Sequence, residues 1–259
     1  MQVADGDILA ISPHLDDAVL GMGAVLAAAS FPVVVTIFAG DPGGDTPASA
    51  WDRGLARTAS EVIAVRRHED ECALRSLGAH AVHCGFLEAP YRSRLRCHET
   101  DGTLEIFSLL RREIVGLIAV YRPVTLVVPL GLGHVDHQLA SAAAISAWIT
   151  DRTCGLWVYA EQPYADYDRA RTHRRIHELR ASAVPARQTA AVAHAIAAKQ
   201  QAVMAYRSQL EPLQRAFHGW DAMKAVTELL WELHFDPDLG RLPVAVAETS
   251  GQTSMAVVH

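Results

Sequence analysis

The chain reads as an α/β protein with a Rossmann-like, mostly parallel sheet and helices on both faces. Three observations lead there. Short runs rich in branched apolar residues alternate with longer stretches of helical character, the order expected of strand–helix–strand units. Two of these runs, Ile8–Ile11 and Val124–Val128, are followed by clusters of histidines and acids, as strands are when chemistry sits at their carboxyl edge. A length of 259 residues with 50% hydrophobic content is also enough to bury such a sheet within one domain.

The first run, Ile8-Leu9-Ala10-Ile11, passes through Ser12-Pro13-His14-Leu15-Asp16-Asp17 into a helix-like stretch from Ala18 to Ala29. Val33 to Ala39 is a second strand closed by Gly40. The prolines and glycines of Asp41 to Pro47 make a loop that leaves the carboxyl end of that strand, so it rims the same edge as His14. A helix from about Ala56 to Leu77 carries Glu61, Arg66, Arg67, His68, Glu69, Asp70 and Glu71, most of which mark a solvated face. His80 to Gly85 is a short third strand. The following loop, Phe86 to Thr103, bears Glu88, Tyr91, Arg92 and Arg94 and has the length of a lid or a recognition surface. Leu104 to Tyr121 is an amphipathic helix that stops before Pro123. After the strand at Val124–Val128 and the loop Gly131–His137, Gln138 to Ile149 forms an Ala-rich helix. Gly155 to Ala160 is a further strand, with Glu161 and Tyr164 beyond its carboxyl end. Gln188 to Leu210 reads as one helix and Trp220 to Leu233 as the last. A single domain over residues 1–235 follows, with 236–259 as a C-terminal tail in which Val244-Ala245-Val246 is a candidate edge strand.

A net charge of −6 and the lack of any basic run argue against nucleic acid as a partner. The start of the chain lacks the basic and apolar regions of a signal peptide, and no apolar run reaches the length of a membrane span, so a cytoplasmic protein is expected. Cys72, Cys84, Cys97 and Cys154 are irregularly spaced, which fits reduced structural thiols better than a zinc ribbon or a redox pair.

The chemistry concentrates at two strand ends. His14 and Asp17 are three residues apart, so at the mouth of a helix they share a face while Asp16 points elsewhere. Alone, such acids could merely cap the helix. Gly131-Leu132-Gly133-His134-Val135-Asp136-His137 repeats the arrangement at a second strand, and in an open parallel sheet the two loops share one edge and can meet. Together they offer two histidines and a carboxylate to a divalent metal, with spare acid and base groups around it.

These paired blocks, His14-Leu15-Asp16-Asp17 and His134-Val135-Asp136-His137, resemble the signature of the PIG-L/LmbE superfamily of zinc-dependent N-deacetylases. The resemblance extends through Arg66, Glu69, Ala73 and Leu77-Gly78, the segment Trp157 to Tyr164, and Lys199, Tyr206, Ser208 and Gln209, covering about the first 210 residues. Two departures stand out: Leu15 replaces the usual proline, and Ala18 replaces the acid that often follows the aspartate pair. The resemblance implies a Zn2+ ion, or another divalent transition metal, on His14, Asp17 and His137. A zinc site lowers the pKa of its water towards about 7. Asp16 is then the expected general base. A protonated His134, held in its tautomer by Asp136, would steady the oxyanion, and either Asp16 or His134 would protonate the leaving amine. The family pattern makes Arg66 a substrate contact, with Glu69 holding it in place, and Glu161 and Tyr164 fit a pocket that reads hydroxyls. The expected substrate is a small N-acetyl amino sugar or glycoside, and the sequence is compatible with a homo-oligomer.

Three other readings fit parts of the pattern. An amidase acting on a non-sugar acyl amide needs the same catalytic groups. Two histidines and one carboxylate also describe the iron facial triad of an oxygenase, although Asp16 then has no use. A nucleotide-binding module without catalysis fits the sheet, but the first strand–helix turn lacks the closely spaced glycines it requires.

Overall fold

The computed structural model describes residues 7–52, 54–92, 99–179, 190–224 and 227–233, with the side chains of 99–102 and 190–194 left aside. Five parallel strands, β1 (Asp7–Ser12), β2 (Phe31–Thr36), β3 (His80–His83), β4 (Thr125–Pro129) and β5 (Gly155–Tyr159), are joined by a short antiparallel β6 (Leu230–Glu232). The order across the sheet is β3-β2-β1-β4-β5-β6. The helices are α1 (Asp17–Ala28), α2 (Ala59–Ser76), α3 (Ala89–Arg92), α4 (Glu99–Tyr121), α5 (Val135–Asp151), α6 (Tyr164–Tyr167), α7 (Arg169–Glu178), α8 (Ala190–Val203) and α9 (Arg207–Ala216).

Strand residues alternate between two apolar layers. Leu9, Ile11, Val35, Leu126, Val128 and Val158 join Leu110, Ile114 and Ile118 of α4 and Ala143 and Ala147 of α5 on one face. Ile8, Ala10, Val34, Val127, Trp157 and Tyr159 join Val19 and Leu26 of α1, Leu74 of α2 and Val203 of α8 on the other. A sheet covered on both faces needs apolar residues at every position, which is why the strands read as unbroken runs. The chain moves from β1 outward through β2 and β3, then returns to lay β4 against the opposite side of β1, with Ile8 to Ala10 beside Thr125 to Val127. That reversal opens a crevice at the carboxyl ends of β1 and β4, where α1 and α5 begin.

Two expectations are corrected. The helix expected from Gln188 to Leu210 breaks at Met204–Tyr206, because α2 supplies outside partners. Tyr206 donates to Asp70 Oδ1 at 2.7 Å, and Glu69 accepts from the Ser208 amide at 2.9 Å, capping α9. The helix expected over Trp220 to Leu233 is also absent among the described residues of that range. Leu230 and Glu232 are good helix formers, but Trp231 suits a strand and the open edge of β5 offers ladder partners, so edge pairing overrides local preference. The tail, with its candidate strand at Val244–Val246, lies outside the described residues, as does Cys97; Cys72, Cys84 and Cys154 carry free thiols. Among the described residues, no helix is long and apolar enough to cross a membrane.

Helix α1 leaves helical geometry at Met22 (φ −147°), exposing backbone donors within the core. Glu228, just before β6, satisfies them by accepting from the Ala24 and Val25 amides at 2.8 and 3.0 Å, and it pairs with the buried Lys199 at 2.9 Å. Replacing Glu228 by Ala leaves a buried ammonium and two amides without partners. Urea unfolding of this variant is expected to show a stability loss of about 3–5 kcal/mol, the scale for breaking a buried ion pair.

Candidate metal centre

Strand β1 delivers His14 and Asp17 to the crevice, and the start of α5 delivers His137. The Asp17 carboxylate is pinned first: its Oδ2 accepts from the His14 amide at 2.9 Å. His14 Nδ1 and His137 Nε2 each lie 3.2 Å from that oxygen and 3.2 Å from each other. Three donor atoms thus form an equilateral triangle. Tetrahedral zinc with bonds of roughly 2.0 Å requires ligand atoms about 3.3 Å apart, so the triangle matches one face of such a site and leaves the fourth position open. His14, Asp17 and His137 therefore fit the ion by spacing and by donor chemistry.

Each imidazole is backed by a buried carboxylate. His14 Nε2 faces Asp136 Oδ2 at 3.1 Å, and His137 Nδ1 faces Glu161 Oε1 at 3.4 Å. Such outer carboxylates orient imidazole ligands and set which nitrogen carries the proton. Gly133, at φ +66°, makes the approach of the second loop possible. A Cβ there would come within 2.2 Å of the Tyr164 ring, which packs edge-on against His137 with centroids 5.0 Å apart.

This chain matches the PIG-L family, GlcNAc-PI de-N-acetylase, over residues 9–148, more than half its length and including every residue of the triangle. The chain belongs to that family. It is similar to 2'-N-acetylparomamine deacetylase of Streptomyces fradiae, 29% identical over 188 residues, and spans 64% of that relative's length with 68% of its own. It is also similar to teicoplanin deacetylase Orf2 in its zinc-inhibited form (26% identity, TM-score 0.67, 87% of this chain and 97% of the other). A deacetylase–teicoplanin complex matches at 25% identity and a TM-score of 0.68, covering 89% of this chain and 99% of the other. The zinc-type metal expected from the sequence is thus the one this family uses.

Within this PIG-L site the two adjacent aspartates differ sharply. Burial and the neighbouring Asp17 push Asp16 up to about 7, partly offset by Arg66 and His14. Burial would also raise Asp17, but His137 and His14 outweigh it and hold the carboxyl well below its ordinary value. Asp16 occupies the N-cap position of α1 without accepting a cap hydrogen bond, so the helix-capping explanation does not account for it. Burial opposes charge on the metal-site histidines as well. Asp136 and Asp17 nonetheless hold His14 well above its usual pKa, and Asp17 and Glu161 lift His137 to about 9.

Several expected partnerships are different in the structure. His134 accepts from the Asp136 amide through Nδ1 at 3.2 Å, so that nitrogen carries no proton and the hydrogen sits on Nε2. Burial and the nearby His14 lower its pKa to about 4, and the N-terminus of α5 also disfavours a cation there. His134 is therefore a neutral donor rather than the protonated one expected, and Asp136 turns to His14 and Arg92 instead of keeping it charged. Glu161, expected to meet substrate, is fully buried; its Oε1 accepts from the Gly131 and Leu132 amides at 2.8 and 3.0 Å, behind His137. Arg66 is held by Glu88 at 2.9 Å rather than by Glu69, and its Nε finds no acceptor among the described residues. Tyr164 remains half-buried beside His137. Glu88 and Arg92, which the sequence places on a loop of lid or recognition length, instead support the site from behind, and the rule that loops at strand carboxyl ends share one edge already brings both near it.

Zinc needs a free lone pair on each imidazole, whereas the buried carboxylates that raise the pKa of both histidines favour a proton there. Zinc binding is expected to release protons at pH 7, and affinity is expected to rise with pH as His14 and His137 lose theirs. Calorimetric titrations in buffers of different protonation enthalpy count those protons, and a value near zero would contradict the ligand assignment.

Proposed function

We propose that this protein removes an N-acetyl, or other N-acyl, group from a small molecule containing an amino sugar, with His14, Asp17 and His137 holding the cation and Asp16 acting as general base. The observation that carries the reading is the equilateral donor triangle with the uncapped Asp16 carboxylate directly beside it in sequence. When bound there, zinc supplies Lewis acidity, lowering the pKa of water towards about 7 and polarising an acyl carbonyl.

The chain's own groups do the rest. Asp16 takes the proton of the attacking water, and a base with a pKa near neutrality suits that task. His134 offers its Nε2–H to the carbonyl oxygen as negative charge builds on it; a neutral donor at the half-buried rim does this without moving a proton. Asp136 and Glu161 keep His14 and His137 turned towards the triangle. Because His134 is neutral, Asp16 is the group that returns the proton to the leaving nitrogen. Arg66, steadied by Glu88 and with a spare Nε–H, and Tyr164, at the wall of the site, are the proposed contacts to sugar hydroxyls. The names of the relatives, deacetylases of 2'-N-acetylparomamine and of teicoplanin, support an amino-sugar substrate.

Zinc-loaded protein incubated with a panel of N-acetyl sugars and glycosides is expected to release acetate; a panel in which nothing is hydrolysed overturns the proposal. Changing Asp16 to Ala is expected to lower kcat by about 100-fold or more while zinc content stays stoichiometric. Since the carboxylate is the active form of Asp16, kcat/KM should fall tenfold per unit as pH drops through its pKa, at or below about 7 because a bound cation pulls it down. That acidic limb should vanish from the residual rate of Asp16→Asn, which a pH–rate profile will show.

A further inference from the structure

Arg92 touches none of the three donor atoms, yet it is tied to the centre from outside. Its guanidinium donates through Nη2 to Asp136 Oδ1 and through Nη1 to the Leu87 carbonyl at 2.5 Å. Its guanidinium carbon lies over the Phe38 ring, 4.7 Å from the centroid, and that ring is 6.1 Å from the ring of His14. Asp136 is fully buried and divides its two oxygens: Oδ1 is taken by Arg92, while Oδ2 accepts from the Ala89 amide at 3.0 Å and faces His14 Nε2 at 3.1 Å.

We propose that Arg92 is a positioning residue for the metal centre: by occupying Asp136 Oδ1 it sets the plane of that carboxylate, so that Oδ2 receives the Nε2–H of His14 and leaves Nδ1 turned into the donor triangle. This rests on the reading of that triangle as the metal centre. A carboxylate held at one oxygen alone can rotate about its Cβ–Cγ bond, and rotation takes the acceptor off the His14 axis. Without an acceptor at Nε2 the imidazole is free to adopt the opposite tautomer, in which Nδ1 bears hydrogen and cannot bind a cation.

The side chain itself argues for this role. A guanidinium can bridge the Asp136 carboxylate and the Leu87 carbonyl at once from two nitrogens held in one plane, whereas an ammonium is a point charge with no fork. Arg92 also brings the turn of α3 to the same carboxylate that Ala89 reaches by its amide, so the loop after β3 is fastened to the back of a metal ligand.

The test is zinc affinity, read by competition with a chromophoric chelator, in Arg92→Ala, Arg92→Lys, Asp136→Asn and the double variant, with unfolding of each zinc-free protein followed in parallel. Arg92→Ala is expected to bind zinc about 10–100-fold more weakly, the scale for losing an outer-layer partner, with Arg92→Lys between it and the parent. The double variant should bind no worse than Asp136→Asn alone, because both changes break one chain of contacts. Added guanidinium should recover part of the affinity of Arg92→Ala and none of that of Asp136→Asn. If Arg92 merely fastens its loop, Arg92→Ala will unfold more easily while binding zinc as tightly as the parent, and the proposal fails with the metal centre intact. A parent protein that binds no zinc refutes the underlying reading instead. Should Arg92→Ala not fold, Arg92→Lys alone decides, since unchanged affinity in it overturns the requirement for a planar fork.

Discussion

The site depends on one carboxylate oxygen shared by two imidazoles. Asp17 Oδ2 is fixed by an amide from its own turn, and the lone-pair-bearing nitrogens of His14 and His137 converge on it at equal distances. Three such atoms crowded together repel one another unless positive charge lies among them. Protons can provide that charge, and so can a metal, which makes the two mutually exclusive occupants of the same electrostatic well. The arrangement exists only because the strand order reverses between β1 and β4, bringing residues far apart in the chain to one edge.

Around this point the acids are sorted by their surroundings rather than by type. Asp16 and Asp17 are chemically identical neighbours, but the turn into α1 sends one towards two histidines and leaves the other to burial and a like charge, so their affinities for protons diverge. Asp136 and Glu161, deeper still, are tied to amide and guanidinium donors and serve to aim the imidazoles. Four carboxylates thus hold three kinds of position: one within the donor triangle, one beside it with a near-neutral pKa, and two behind it.

Much of this was legible in the amino acids. Alternating strand and helix patterns indicate the doubly covered sheet, and a His-x-x-Asp spacing at a strand end shows that two donors share a face before any fold is known. The resemblance to a family was needed to choose between His134 and His137, since both follow β4. What escaped reading was direction. Glu161 follows a strand end, which places it at the correct edge, but nothing local reveals that the amides of Gly131 and Leu132 draw it inward. Local logic likewise paired Arg66 with Glu69 on its own helix, whereas Glu88 from another loop is the partner and Glu69 caps α9. The final strand escapes reading because Leu230 and Glu232 favour a helix and it is the side of β5 that makes the segment a strand.

The kink in α1 has a consequence for how the molecule comes together. The helix that begins at Asp17 has its second half completed by the carboxylate of Glu228, more than two hundred residues further along. A ribosome that has synthesised both histidine blocks has therefore made every donor atom without yet making the piece that closes the helix carrying one of them. The second half of α1 is thus closed only once the chain has been made through Glu228, so a helix at the start of the fold reaches its final geometry when the far end of the sheet is in place.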